Sequence, residues 1–323
     1  MVPACRARAE CSLVPGVVLH TTHTRADVEF NSWFALRLWP PRELADPLSG
    51  LLIHMGASGT WQDGDSLLAY FASQTQPDEV GHAVSAWSGH FMDLGLLESA
   101  LAVTWESPDN QDWATAWRAH FVSFPVGKRL MVLPEWEPLS TAADRLPIRI
   151  RPGLGFGTGG HATTATCLEV LENHLATLPH PDRATILDVG TGSGILAIAA
   201  ARLGCRKVTA FDNDPDAVQN ARENAELNDV SETVRLFVGT TDAVQGQYDV
   251  VLANLLAHVI VELMPDLLRL TASGGRIILS GILNEQGDRV EAALAAHGLH
   301  VVEYLSRGMW LTILSRRESD PQD

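Results

Sequence analysis

The spacing of apolar and polar positions predicts two differently built halves. From Asn31 onward a strand is expected over Trp33 to Leu38, a helix over Glu43 to Met55, a turn at Gly56 and Gly59, and a strand over Ser66 to Phe71. A second helix follows from Asp78 to Leu94, and a last strand near Ala100 to Trp105. Mixed elements of this kind imply a small α+β unit, with helices on one face of an antiparallel sheet. Before about Thr24 the chain has no period, and no fold is expected there.

The next stretch begins at Ser107-Pro108-Asp109-Asn110, where Asp or Asn can cap a helix. Trp113, Trp117 and Phe121 recur every four residues, so they share one face and are expected to pack that helix onto a domain. Strands are expected at Leu130 to Leu133 and, after a loop to Leu146, around Ile148-Arg149-Ile150. From Thr185 the signals alternate. Strands at Thr185 to Val189, Lys207 to Asp212, Val234 to Val238, Tyr248 to Asn254 and Arg276 to Ser280 are separated by helices. Those helices run from Gly194 to Leu203, Pro215 to Asn228, His258 to Leu270 and Gln286 to His297. Strands interleaved with helices make a parallel sheet covered on both faces. Two further strands, Leu299 to Leu305 and Met309 to Leu314, are joined through Arg307-Gly308, a turn short enough to make them antiparallel neighbours.

A chain of 323 residues has room for two domains. The expected division is a tail over 1–25, an α+β recognition domain over 26–106, a connector over 107–147, an α/β domain over 148–316 and a short tail over 317–323. Cys5, Cys11, Cys167 and Cys205 show no Cys-x-x-Cys spacing, so they read as unpaired thiols in a reducing, cytoplasmic setting. No segment is long enough to span a membrane. The net charge of −16 argues against a nucleic-acid partner, because that binding draws on cations meeting phosphates. It fits either solubility alone or attraction of a lysine-rich partner.

The chemistry concentrates in Ile186-Leu187-Asp188-Val189-Gly190-Thr191-Gly192-Ser193-Gly194, a strand that turns on alternating glycines into a helix. Gly190, Gly192 and Gly194 leave backbone free to turn tightly against a ligand, and Asp212, at the end of the next strand, can accept from vicinal ribose hydroxyls. A dinucleotide loop needs a glycine where this chain has Ile195, and Asp188 stands where a pyrophosphate is repelled but a cation is welcome. S-adenosylmethionine carries a sulfonium and an ammonium and no phosphate, so it is the expected cofactor.

Upstream, Arg151 to Thr164 is dense in glycine and has no lysine, which excludes a phosphate-cradling P-loop. A backbone lid over the cofactor is expected, with Phe156 covering apolar surface and Thr163 or Thr164 capping the following helix and offering a hydroxyl. His161 reads either as a base near the amine or as a residue that shapes the loop. Asn254 ends the fourth strand, at the sheet edge where α/β folds place their ligands. Leu255 and Leu256 follow it with no aromatic platform, which suggests an aliphatic amine target.

Taken together, Gly153 to Thr164, Ile186 to Ala200, Asp212 to Pro215, Ala253 to Ala257 and Ser273 to Leu283 resemble the bacterial ribosomal protein L-eleven methyltransferase family (PrmA). The chain departs from the family's pattern at Gly160, often threonine, and at Ala162, usually proline. The resemblance implies a seven-stranded class I methyltransferase (Rossmann-like) sheet with a small N-terminal α+β domain that recognises the ribosomal protein. It implies methyl transfer from S-adenosylmethionine to lysine side-chain and N-terminal amines, with cofactor contacts at Thr164, Gly190, Asp212 and Asn254. In-line displacement needs no metal. The neutral amine is expected to be held by the Asn254 side-chain carbonyl and the Leu255 backbone carbonyl. Alternatives are another basic protein or a small amine as substrate, and a non-catalytic adaptor. A nicotinamide dehydrogenase is disfavoured by Ile195 and the terminal hairpin.

Overall fold

The computed structural model describes residues 33–72, 75–106, 123–151 and 162–318. The expected helix over Trp113, Trp117 and Phe121, the tail with Cys5 and Cys11, and the glycine-dense stretch with Phe156 and His161 lie outside those residues.

The N-terminal unit contains β1 (Trp33–Leu38), α1 (Arg42–His54), β2 (Ala57–Asp63), β3 (Ser66–Ala72), α2 (Pro77–Asp93) and β4 (Val103–Glu106). Its strands form an antiparallel sheet in the order β2-β3-β1-β4. Phe34, Leu36 and Phe71 from the sheet meet Leu44, Leu48, Leu52, Val80 and Val84 from the helices in one buried cluster. Of the turn expected at Gly56 and Gly59 only Gly56 is in a turn, and Gly59 lies within β2. A register irregularity between Ala57 and Gly59 lets this polar strand join the sheet at its edge.

Strands β5 (Phe124–Val126), β6 (Leu130–Pro134) and β7 (Leu146–Ile150) make a three-stranded sheet. Val126, Leu130, Val132, Ile148 and Ile150 share their core with Ile186 and Ile198, so β5, β6 and β7 pack with the C-terminal half.

The C-terminal half runs α3 (Ala162–Thr177), β8 (Thr185–Val189), α4 (Ile195–Arg202), β9 (Lys207–Asp212), α5 (Pro215–Leu227), β10 (Val234–Val238), β11 (Tyr248–Asn254), α6 (Ala257–Leu270), β12 (Thr271–Leu283), α7 (Gly287–Ala296), β13 (Leu299–Arg307) and β14 (Trp310–Arg317). Its sheet has the order β10-β9-β8-β11-β12-β14-β13. The first five of these strands are parallel, and β14 runs antiparallel to both its neighbours. The hairpin therefore forms as expected. β12 is longer than its apolar stretch, because register shifts opposite Tyr248/Val250 and at Leu279/Ile282 carry pairing through its glycines.

The chain leaves β8 toward β9 and β10, then returns to β11 on the other side of β8. Crevices at the carboxyl ends of strands open where the order reverses in this way, here between β8 and β11.

Candidate active site

β8 is the central strand and is buried on both faces from Ile186 to Val189, and that stretch is apolar except for Asp188. Asp188 lies on the same strand face as Ile186, fully buried. Its Oδ2 accepts from the Thr191 hydroxyl at 2.6 Å and from the Ala197 backbone N–H at 3.2 Å. Oδ1 is buried with no hydrogen-bond partner among the described residues. Burial pushes the Asp188 carboxyl up to about 7, against the pull of the Thr191 and Ala197 donors, and the nearby Asp212 charge adds to the rise. The neighbouring Cys167 thiol is pushed far above its ordinary range by burial and by Asp188. Cys167 and Cys205 are both free and buried.

After Val189 the chain turns through Gly190, Gly192 and Gly194, all with positive φ. Gly190 has φ +69°, a backbone conformation that side chains rarely adopt, and a Cβ there would also lie 2.6 Å from the Leu255 Cδ2 tip. The backbone N–H groups of Gly190 and Thr191 both donate to the Phe211 carbonyl, at 3.0 and 2.9 Å. That ties the loop to the end of β9. Asp212, the last residue of β9, is thereby held beside Gly192, whose N–H it accepts at 2.9 Å.

Asn254 ends β11 in register with Ser280 of β12. Its Nδ2 donates to Thr164 Oγ1 at 3.3 Å, while its Oδ1 is buried without a partner among the described residues. Leu255 N–H continues the ladder to the Ser280 carbonyl at 3.0 Å. The Leu255 carbonyl lies against Gly281, where a Cβ would come within 2.3 Å of it.

Gly190, Gly192, Asp212, Asn254 and Leu255 thus lie at the carboxyl ends of β8, β9 and β11, with Thr164 at the start of α3 beside Asn254, Asp188 buried beneath the loop and Gly194 packed against Ala221 of α5. Thr163 and Thr164 do not cap α3 as expected. The helix already begins at Ala162, so both lie in its first turn, fully buried, and the Thr164 hydroxyl faces Asn254 instead.

Several supporting residues were not foreseen. Asn224 on α5 donates to the Ser193 carbonyl at 2.9 Å and accepts from Arg151 N–H at 2.7 Å, while Asn228 Oδ1 accepts from Arg149 N–H at 2.8 Å. Two buried asparagines four residues apart on one helix face, where apolar residues are expected, are the signal for such a role. Ser280, Thr312 and Thr166 form a buried hydroxyl chain beneath Thr164, with both Oγ–Oγ separations at 2.7 Å.

An acidic, side-chain-poor turn beside a carboxylate fits an adenosine-bearing cation. Gly190 supplies the open backbone, Asp212 an acceptor at the strand end, and Asp188 a buried carboxyl under the loop whose ionised form a cation would favour. No group of three or more His, Cys, Asp or Glu suited to a metal occurs among the described residues. None of the described helices is long and apolar enough to cross a membrane.

Comparison with known proteins agrees with this geometry. Residues 32–318 match the family model described as ribosomal protein L11 methyltransferase (PrmA). A ribosomal protein L11 methyltransferase of Pelobacter propionicus is 44% identical over 305 residues, covering 88% of this chain and 97% of that protein. One from Gloeobacter violaceus is 36% identical, covering 94% of this chain and 89% of the relative. Among solved structures, a ribosomal protein L11 methylase from Lactobacillus delbrueckii subsp. bulgaricus aligns with a TM-score of 0.54 at 32% identity, covering 61% of this chain and 98% of that one.

Proposed function

The chain belongs to the ribosomal protein L11 methyltransferase family, and from that premise we propose that it methylates lysine side-chain and N-terminal amines of ribosomal protein L11. S-adenosylmethionine is the methyl donor. When bound, it supplies a methyl group on a cationic sulfur, open to in-line attack. Asp212 and the backbone of Gly190 and Gly192 are the residues to hold it, with Asp188 beneath them. The N-terminal unit is assigned to recognition of the ribosomal protein.

The obstacle for such an enzyme is the protonated amine. A free lysine has a pKa of about 10.4, so at pH 7 only roughly one in a few thousand is nucleophilic. The site must favour the neutral form and aim its lone pair. The observation that carries the reading is Asn254: its amide nitrogen is fixed on Thr164 and its oxygen is buried without a partner among the described residues. A buried acceptor left unsatisfied costs about 1–3 kcal/mol, which an incoming N–H donor relieves. Asn254 Oδ1 and the Leu255 carbonyl are the acceptors proposed for the amine's N–H bonds.

The test is methyl transfer from labelled S-adenosylmethionine to purified ribosomal protein L11. Asn254→Ala is expected to stay folded and bind the cofactor while turnover falls by about 10²-fold or more, as when one aligned polar group is lost from a catalytic site. Unchanged steady-state kinetics would remove Asn254 from the mechanism.

A further inference from the structure

Leu256 occupies the N-cap of α6, with extended backbone (φ −62°, ψ 141°) and no side-chain cap to the helix. That position ordinarily favours Ser, Thr, Asp or Asn, whose side chains satisfy one of the free N–H groups of the first turn. The neighbouring helix α5 follows this rule: the Asp214 side chain accepts from Asp216 N–H at 2.9 Å. At α6 the cap is given up for a leucine that is 55% exposed.

The location gives the exchange a purpose. Leu256 stands two residues beyond Asn254, whose amide oxygen is buried with no partner among the described residues, and directly after Leu255, whose side chain lies over Gly190. Leu256 is thus the exposed apolar residue next along the chain from the two proposed amine acceptors. A lysine differs from a chain-terminal amine in arriving on a flexible stem of four methylenes. Such stems bury readily along apolar surface while their polar heads are held elsewhere.

We propose that Leu256 is a specificity-determining residue: it receives the methylene stem of a target lysine and favours ε-amines over α-amines at one shared site. This rests on the amine-methylating reading given above. No polar cap can serve the same end, because a hydroxyl or carboxylate there would leave the stem against hydrated groups.

The test is competitive methylation of ribosomal protein L11 by the full-length protein at subsaturating substrate, with ε- and α-products separated by mass spectrometry. Leu256→Ser is expected to lower the initial rate at lysines about tenfold, the scale on which a hydrophobic site distinguishes one or two methylenes. The rate at the amino terminus and the affinity for S-adenosylmethionine should hold. Serine is also the better cap, so the unfolding midpoint should stay level or rise, and Leu256→Met should restore the wild-type product ratio. An unchanged ratio in Leu256→Ser, or both products falling together with a lower midpoint, overturns the proposal. A wild-type protein that methylates neither amine overturns the reading beneath it, and this proposal with it.

Discussion

Asp212 and Gly192 stand twenty residues apart and are joined by a hydrogen bond of 2.9 Å, in which the Gly192 backbone N–H donates to Asp212 Oδ2. The second oxygen accepts from Asp214 N–H at 3.1 Å. An ionised carboxylate offers about four lone-pair sites, so roughly half its capacity remains for a ligand. The two backbone donors fix where that capacity points, between the glycine loop after β8 and the start of α5. The residue proposed to read the ribose is thus oriented by the same loop proposed to carry the cofactor.

Replacing Asp212 therefore removes both a ligand contact and a brace. Two charge-assisted hydrogen bonds at about 1.5–3 kcal/mol each set the scale. Asp212→Ala is expected to weaken S-adenosylmethionine binding by about 10²-fold or more, with a smaller loss for Asp212→Asn, which keeps an acceptor for Gly192. Titration calorimetry measures both, and wild-type affinity in Asp212→Ala would take this carboxylate out of the cofactor site.

Asp188 gives the protein a pH dependence whose sign follows from its burial. The carboxyl rises from an ordinary 3.8 to about 7 in the fold, first because it is buried and further because Asp212 is near. Between those values the folded state keeps a proton that the unfolded state has released. Stability contributed by this group is present below about pH 4, falls as pH rises toward 7 and is level above, with a slope of at most about 1.4 kcal/mol per pH unit. Asp188→Asn should abolish that slope, since an amide oxygen can still accept from Thr191 and Ala197. A bound cation acts in the opposite sense by favouring the ionised carboxylate. Wild-type affinity for S-adenosylmethionine should accordingly rise through pH 7, with proton release on binding, and the variant's should not. Denaturant melts at pH 5 and 8 and calorimetry in two buffers of different ionisation enthalpy check the two halves; an unaltered slope in the variant would assign the dependence to another group.

The parts of this fold that were legible in the sequence are those set by local rules. β8 to β11 announce themselves through apolar runs bounded by Gly, Asp and Asn, and the terminal hairpin through the short turn around Gly308. β2 was not legible, because its polar sequence makes a strand only by joining the edge of β3 through an irregularity at Gly59. β5 is three residues long, too short for any period to register. The site divides in the same way. Asp188, the glycines, Asp212 and Asn254 are residue types suited to a cationic adenosine ligand and an amine, set on β8 and its turn and at the carboxyl ends of β9 and β11. Ser280 and Asn224 act on partners 117 and 31 residues distant, Thr163 and Ser193, so nothing near them in the chain reveals their task.

Gly281 tests whether the Leu255 carbonyl matters to catalysis. Its φ is +82°, and a Cβ would lie 2.3 Å from the Leu255 oxygen and 2.9 Å from its carbonyl carbon. These are backbone atoms, which cannot swing aside as a side-chain tip does. Gly281→Ala must move Leu255 or the strand it leans on, and the left-handed backbone adds about 1–2 kcal/mol of strain. A lower unfolding midpoint is expected, with turnover reduced at least about tenfold and cofactor affinity nearly retained, because Asp212 and the glycine loop lie on other strands. Single-turnover kinetics separate the chemical step from binding. A destabilised variant with full turnover would show that the amine does not depend on this carbonyl.

The hydroxyl chain beneath Thr164 offers a test of how the site is supported. Ser280 Oγ donates to the Thr163 carbonyl at 3.0 Å, and Thr166 Oγ1 donates to the Ala162 carbonyl at 2.9 Å, so each of these protons is committed to the first turn of α3. Thr312 sits between them, 2.7 Å from each hydroxyl oxygen, and has one proton to give. Removing Thr312 breaks the hydroxyl link from β14 to Thr166 of α3 and leaves the Ser280 link from β12 intact. Removing Ser280 severs the link from β12 to the turn that carries Thr164, the partner of Asn254. Ser280→Ala should cost about 1–3 kcal/mol as a buried group loses its partner, and Thr312→Val about 0.5–1.5 kcal/mol. Because the residues share one chain, the double variant should be less destabilised than the sum by at least about 0.5 kcal/mol. Turnover should follow Ser280 more than Thr312, since Ser280 bonds the backbone of the Thr164 turn directly and Thr312 reaches α3 only through the Thr166 hydroxyl. Equal losses of activity from the two variants, at unequal losses of stability, would mean that Asn254 takes its position from β11 alone.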